Sequence, residues 1–153
     1  APPAPAPNTP ASPPPGQTTN FYVTGYGQPD NDPPGPAIAY PGAAPRHAQT
    51  GGVGSFADPV TIAVGSGRGG MNLVPGTRIY IGTFAKYGVI EDLCAGCSGR
   101  WIDVYDGSGV SDSPAKVAAC QNRHTGTFAV EISPPAGRPV NARPLYDKGV
   151  CTP

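Results

Sequence analysis

The chain has 153 residues, of which 22 are Gly and 22 are Pro, while 13% are charged and the formal net charge is +0. Gly and Pro are the two poorest helix formers, so this composition excludes a mainly helical protein. The balanced charge excludes a basic nucleic-acid-binding surface. No run of about 18 apolar residues occurs, so no membrane-spanning helix is expected.

The N-terminal stretch differs from the rest of the chain in composition. Residues 1–19 are dense in Pro and contain no charged side chain. Such a segment buries too little apolar surface to pack and favours an extended polyproline II conformation. We therefore predict a Pro-rich arm or linker over residues 1–19 and one folded domain over residues 20–153. Because the chain starts at Ala1 without a Met-led signal peptide, we interpret it as the mature form of a secreted protein.

Short apolar runs alternate with Gly, Pro, Asp and Ser clusters from residue 20 onwards. The runs are rich in β-branched and aromatic residues, which is typical of strands. The predicted strands are 21–26, 37–40, 59–64, 77–82, 87–91, 100–105 and 127–132, with a weaker candidate at 140–147. Within 77–82 the alternation places Ile79 and Ile81 on one face and Arg78 and Tyr80 on the other.

One segment, 113–121, is typical of a helix, because Ser113 can cap it, Pro114 suits its first turn and Ala-rich sequence follows. Six or seven short strands joined by long Gly-rich connections favour a small barrel or sandwich. The fold class is therefore all-β with one short helix.

Four cysteines, Cys94, Cys97, Cys120 and Cys151, fit two disulfides in a secreted protein. A zinc site would need Cys120 and Cys151 beside the C-x-x-C pair, but they do not repeat its spacing. A thioredoxin-like redox pair would need a βαβ setting, which the chain lacks. Among the three possible pairings we favour those that join Cys94 and Cys97 each to a distant partner. His47 and His124 show no metal-binding spacing, so they are interpreted as surface or hydrogen-bonding residues.

Two carboxylates stand out among the acidic residues. Asp92 ends one predicted strand and Asp103 lies inside the next, and a loop with both cysteines of the C-x-x-C separates them. A strand–loop–strand unit of this length can bring the two carboxylates together. Paired carboxylates on rigid strands, one of them kept protonated, are what glycosidic-bond cleavage requires.

Residues 51–107 resemble the double-psi β-barrel superfamily, and most of all the three-aspartate domain of lytic transglycosylases. The resemblance rests on Ala63-Val64, Pro75-Gly76-Thr77, Glu91-Asp92 and Ile102-Asp103-Val104-Tyr105, in that order. It implies a closed six-stranded barrel with Asp103 at the catalytic acid and Asp92 at the second acidic position. Two departures are Gly65, where the family often has its first aspartate, and the C-x-x-C loop, where the family has a different Gly-rich loop.

The resemblance implies a secreted, monomeric enzyme that cleaves a cell-wall glycan, with peptidoglycan preferred and a muramidase-like or lytic-transglycosylase-like activity. Trp101, Tyr87 and Tyr26 are the predicted stacking residues for the glycan, because Tyr and Trp suit sugar faces. No metal or cofactor is implied. The same barrel is similar to that of family 45 endoglucanases, expansins, barwin-like proteins and actinomycete papain inhibitors. A cysteine protease inhibitor and an expansin-like carbohydrate binder are therefore the alternative functions.

Overall fold

Six strands close into a single β-barrel in the computed structural model, which describes residue 2 and residues 16–42 and 46–153. The barrel strands are β1 (Thr18–Tyr26), β2 (Val60–Val64), β3 (Arg78–Ile81), β4 (Lys86–Leu93), β5 (Trp101–Tyr105) and β6 (Gly126–Ile132). Helix α1 (Pro114–His124) precedes β6, and a two-stranded ribbon of β7 (Tyr146–Asp147) and β8 (Val150–Cys151) follows it. Most of the predicted Pro-rich arm, residue 1 and residues 3–15, lies outside the described residues.

The barrel order is β1-β5-β2-β4-β3-β6, and its pairing is mixed. β1 runs parallel to β5 and β2 runs parallel to β4, whereas the other four pairings are antiparallel. The predicted all-β, six-stranded barrel with one short helix is confirmed. This mixed, closed arrangement is compatible with a double-psi barrel.

Alternating side chains fill the barrel interior. Fully buried apolar residues come from every strand; they include Phe21, Val23, Ile62, Ile79, Ile81, Ile90, Ile102, Val130 and Ile132. Burial of each such side chain contributes about 1.5–3 kcal/mol, so these residues supply much of the stability. Their neighbours in sequence point outward, which puts Thr24 and Asp103 on the outer face of adjacent strands.

Two predicted strands and one predicted boundary differ from the structure. Residues 37–40 form no strand, because the amide of Ala39 binds the Asp92 side chain and that of Tyr40 binds the Glu91 carbonyl. Of residues 140–147 only Tyr146 and Asp147 are in a strand, since Pro144 cannot donate to a ladder. β1 begins at Thr18, two residues before the predicted domain start, and pairs there with β6.

The helix forms as predicted, with the Ser113 side chain accepting from the Lys116 amide at its N-terminus. Among the described residues, no helix is both long and apolar enough to cross a membrane. All four cysteines are in disulfides, but the favoured long-range pairing is wrong, because the bonds join Cys94 to Cys97 and Cys120 to Cys151. The physical reason is a tight turn: the Cys97 amide donates to the Cys94 carbonyl at 3.2 Å.

Candidate active site

A cavity of about 710 Å³ opens on one side of the barrel. Its floor includes Ala63 on β2, Asp92 on β4 and Asp103 on β5, and the long β1–β2 connection contributes residues 30–37 as a wall. Pro33, Pro34 and Pro36 make that wall largely apolar. The cavity therefore brings together the two carboxylates that the sequence singled out.

The positions of the two carboxylates follow from strand register. Ala63 is the register partner of Asp92 on one neighbouring strand and of Asp103 on the other. Adjacent strands lie about 4.8 Å apart, so the two Asp Cα atoms are separated by roughly 9–10 Å. The small Ala63 side chain between them leaves the space that a substrate atom needs.

A β-bulge in β4 aims Asp92 into the cavity. Ile62 pairs with Ile90 but Ala63 pairs with Asp92, which leaves Glu91 as the extra residue. Bulges re-aim side chains in this way and are frequent next to active sites. As a result, the side chains of the consecutive residues Glu91 and Asp92 point in different directions, and that of Asp92 lines the cavity.

Asp103 is partly buried and sits at the end of a hydrogen-bond chain. The Thr24 hydroxyl donates to Asp103 Oδ1 at 2.9 Å, and Trp101 Nε1 donates to Thr24 Oγ1 at 2.8 Å. Burial raises the pKa of Asp103 to about 7; the Thr24 hydrogen bond opposes this, and the charges of Asp30, Asp106 and Asp92 add to it. Near neutral pH a large fraction of this carboxyl therefore keeps the proton that a general acid donates.

Asp92 accepts three hydrogen bonds. The Ala39 and Leu93 amides donate to Oδ1 at 2.9 and 2.8 Å, and the Tyr26 hydroxyl donates to Oδ2 at 2.7 Å. Burial and then the nearby Asp92 carboxylate raise the pKa of Tyr26 well above its usual value, so the phenol keeps its proton. The Asp92 carboxylate is thus fixed in orientation, in contrast with Asp103.

His47 attaches the β1–β2 connection to the barrel. Its Nδ1 lies 2.5 Å from Glu91 Oε1 and its Nε2 lies 2.8 Å from Asp58 Oδ1. Burial of the ring lowers the pKa of His47, but the hydrogen bonds to Asp58 and Glu91 outweigh this and raise it. The predicted hydrogen-bonding role of His47 is therefore met, and its ring bridges the carboxyl groups of Glu91 and Asp58.

The three predicted stacking residues occupy different environments. Trp101 is partly exposed and makes an edge-to-face contact with Tyr22, with the ring centroids 5.2 Å apart. Tyr22 is 42% exposed. Tyr26 lines the cavity but presents mainly its hydroxyl. Tyr87 is fully buried and packs against Phe56 and Tyr80. The prediction that Tyr87 stacks on the glycan is therefore wrong.

Sequence reasoning did not assign roles to Thr24, Tyr22 or Ala63. Thr24 and Tyr22 lie beside Asp103 and Trp101 only through the parallel β1–β5 pairing, which joins segments about 80 residues apart. Tyr22 and Thr24 are two residues apart in one predicted strand, but no local signal identifies the partner strand.

The C-x-x-C turn lies at the edge of the cavity. The Sγ atoms of Cys94 and Cys97 and a carboxylate oxygen of Asp103 all lie within 4.8 Å of one another. A Cβ at Gly65 would overlap the carbonyl oxygen of Cys97, so the cysteine turn requires glycine there. The two departures noted in the sequence are therefore one structural feature. Since both sulfurs are in a disulfide, they offer no thiolate to a metal ion.

Comparisons with known proteins identify relatives of this chain. Residues 18–152 match the family model described as the DDB_G0273701 N-terminal domain. The chain is 33% identical over 113 residues to the uncharacterized protein DDB_G0273701/DDB_G0273221 of Dictyostelium discoideum. That alignment covers 74% of this chain and 43% of the relative, so the chain spans less than half the length of that protein. No solved structure matches the chain significantly.

Proposed function

This chain belongs to the DDB_G0273701 N-terminal domain family, and we propose that it cleaves a cell-wall glycan, with peptidoglycan as the preferred substrate. The observation that carries the proposal is Asp103, a carboxyl whose pKa is raised to about 7 in a cavity of about 710 Å³. The proposal includes the finer fold assignment to the double-psi superfamily, which the mixed closed barrel supports.

Asp103 acts as the general acid. Its protonated carboxyl donates to the glycosidic oxygen, and the bond to the anomeric carbon breaks as positive charge develops on the sugar ring. The Thr24 hydroxyl holds Oδ1 by its hydrogen bond, which leaves Oδ2 to face the substrate. Proton donation of this kind contributes typically 10²–10⁴-fold to a rate.

Asp92 acts as a fixed negative charge. A retaining mechanism through a covalent intermediate needs carboxyl groups about 5–5.5 Å apart. Asp92 and Asp103 lie on strands on either side of Ala63, and this arrangement does not favour so short a distance. The three hydrogen bonds that Asp92 accepts also occupy both carboxylate oxygens, which leaves less room for an attacking water. These features favour the lytic-transglycosylase-like reaction, in which a sugar hydroxyl attacks the anomeric carbon and returns its proton to Asp103.

The surroundings of the acid suit a sugar chain. Prolines and Ala37 form one apolar wall, and the Tyr22–Trp101 pair provides exposed aromatic surface on the outer face of β1 and β5. Aromatic side chains with a polar group bind faces of partly apolar ligands well. The two disulfides support the predicted secreted location.

The test is mass spectrometry of soluble products after purified peptidoglycan is incubated with wild type, Asp103→Asn and Asp32→Asn. Asp32 is an exposed carboxylate at the same cavity with no assigned catalytic role, so it is the control for an Asp-to-Asn change at this cavity. We expect muropeptides with 1,6-anhydro ends from wild type and Asp32→Asn, and a loss of about 100-fold or more in Asp103→Asn.

Activity should also fall as pH rises. Because the acid must be protonated, kcat/KM is expected to decrease above about pH 7, following the raised pKa of Asp103. Reducing ends in place of anhydro ends would show hydrolysis and assign a water-activating role to Asp92. Equal activity in Asp103→Asn would overturn the assignment of the acid.

A second candidate is glycan binding without cleavage, as in expansin-like proteins, and the exposed Tyr22–Trp101 pair favours it. Pull-down on insoluble peptidoglycan, cellulose and chitin tests this function. Binding that is lost in Trp101→Ala, with no soluble product from wild type, would replace cleavage by binding. A protein that neither binds nor cleaves these polymers would contradict both.

A further inference from the structure

The glycan reaction has no role for the Cys94–Cys97 disulfide, which lies beside its acid, Asp103. The bond joins residues only three apart, Cys94 is partly exposed and lines the cavity, and Cys97 is buried at 8% exposure. A carboxylate oxygen of Asp103 lies within 4.8 Å of both sulfurs. A disulfide with one cysteine at a cavity, the other cysteine buried and a carboxyl group nearby has the parts that exchange chemistry needs.

We propose that Cys94–Cys97 is a thiol–disulfide exchange site, in which Cys94 is attacked, Cys97 leaves and resolves, and Asp103 transfers the proton. The substrate class is a small thiol or disulfide that enters the cavity. This activity is independent of glycan cleavage, although it uses the same acid.

The opening half-reaction conserves atoms and charge. An external thiolate attacks Cys94 Sγ and forms a mixed disulfide, the Cys94–Cys97 bond breaks, and its electron pair leaves on Cys97 Sγ. That sulfur takes the proton of the Asp103 carboxylic acid, which becomes a carboxylate. A second external thiolate then attacks the external sulfur of the mixed disulfide, which releases an external disulfide and leaves the turn reduced. In the closing half-reaction the Cys94 thiolate attacks an external disulfide and expels one thiolate, Cys97 gives its proton to Asp103, and the Cys97 thiolate attacks Cys94 Sγ and expels the second thiolate.

Burial decides which sulfur has which role. Attack requires an in-line approach to a sulfur atom, and of the two cysteines only Cys94 contributes to the described lining of the cavity. Cys97 is shielded, so its thiol is hard to ionise without a base. The Asp103 carboxyl, with its pKa raised to about 7 by burial, is matched to this transfer near neutral pH.

The other disulfide provides an internal comparison within the same molecule. Cys120 is 2% exposed on the inner side of α1, and its bond to Cys151 is packed against Val117 and Tyr146. No carboxylate belongs to the cluster of potential ligand atoms around it; its neighbour there is His124. His124 Nδ1 lies 3.7 Å from Cys120 Sγ, so both disulfides have a titratable group nearby, and the feature that favours exchange at Cys94–Cys97 is its position at the cavity.

The experiment measures closure of the reduced turn. Wild type, Asp103→Asn and Asp32→Asn are treated briefly with a dithiol, desalted and mixed with oxidised glutathione. Samples are quenched in acid at intervals, and peptide mass spectrometry locates glutathione on each cysteine. We expect the adduct on Cys94 alone, and an intact Cys120–Cys151 bond in all three proteins, which also reports that each variant is folded.

Closure at pH 7 is expected to be at least about tenfold slower in Asp103→Asn than in wild type, and unchanged in Asp32→Asn. The charged groups that act on Asp103 are Asp30, Asp92 and Asp106, and all three remain in each variant. Asp103→Glu, which keeps a carboxyl, is expected to recover part of the rate.

Three results would each overturn the proposal. The first is equal closure rates in Asp103→Asn and wild type, and the second is an adduct on Cys97 rather than Cys94. The third is reduction of Cys120–Cys151 as readily as Cys94–Cys97. Because no glycan is present in this assay, its result is separate from the test of cleavage.

Discussion

The two disulfides lie in regions of opposite character. Cys94–Cys97 closes a turn at the rim of the cavity, where Cys94 is a lining residue, and it lies beside a carboxyl with a raised pKa. Cys120–Cys151 joins helix α1 to the C-terminal ribbon across 31 residues and is surrounded by Val117 and Tyr146. His124 strengthens that corner, because its Nε2 lies 2.6 Å from the Thr152 carbonyl oxygen.

This contrast distinguishes the C-terminal corner, where the disulfide stabilises the fold, from the cavity rim, where the disulfide lies beside an ionisable group. A long covalent loop mainly restricts the unfolded chain and so stabilises the folded state, whereas a turn of four residues restricts it little. Partial burial of an ionisable group costs stability but tunes its pKa. We therefore expect changes at the C-terminal corner to alter stability, and changes at the cavity rim to alter reactivity.

Removal of the C-terminal bond should have the largest effect on stability. Cys120→Ser with Cys151→Ser is expected to lower the free energy of unfolding by about 3–4 kcal/mol, since a loop of 31 residues is opened. Urea denaturation followed by circular dichroism measures this loss. An unchanged denaturation midpoint would show that the ribbon is held by packing alone and would break the contrast.

Removal of the rim bond should cost less. Cys94→Ser with Cys97→Ser is expected to lower the free energy of unfolding by no more than about 2 kcal/mol, because the loop is short. The same urea experiment measures it, with the other double variant as the reference. A loss equal to that of the C-terminal pair would mean that the turn also supports the barrel.

Asp103→Asn should change stability in a pH-dependent way, by roughly 1–2 kcal/mol after allowance for partial exposure. The folded pKa of Asp103 is about 7, above its ordinary value of 3.8. Between these values the unfolded chain releases a proton that the folded chain keeps, so wild-type stability falls as pH rises from about 4 to 7. Asp103→Asn lacks this loss, so its stability relative to that of wild type should increase over that pH range.

Thermal denaturation of wild type and Asp103→Asn at pH 4, 6 and 8 checks this expectation. The difference in melting temperature should be small at pH 4 and should favour the variant at pH 8. A constant difference across the three values would show that the carboxyl titrates alike in the folded and unfolded chain.

Local sequence signals predicted most of the barrel. Runs of β-branched and aromatic residues between turn clusters identified the strands, and alternation correctly placed Ile79 and Ile81 in the core. Ser113 with Pro114 marked the helix start. The segment 37–40 was mispredicted as a strand because its amides bind Asp92 and Glu91, a tertiary contact that composition does not encode.

The candidate site was predicted only in part. Asp92 and Asp103 were found because both lie on strands next to one short loop. Thr24 was missed because it reaches Asp103 through pairing with a distant strand. Tyr87 was misassigned because the sequence pattern does not distinguish an aromatic residue that faces the core from one that faces the solvent. The disulfide pairing depended on a tight turn that residue spacing alone does not reveal.

The shared register position of Ala63 has a consequence for how such a barrel diversifies. Asp92 on β4 and Asp103 on β5 both pair with Ala63 on the strand between them. The spacing of the backbone strands therefore sets the separation of the two residues. Insertions in the β1–β2 connection or in the cysteine turn can then reshape the walls without moving the two carboxylates. New loops can be grafted around this fixed carboxylate spacing, and substitution of Ala63 by a larger residue offers a way to fill the space between the two carboxylates.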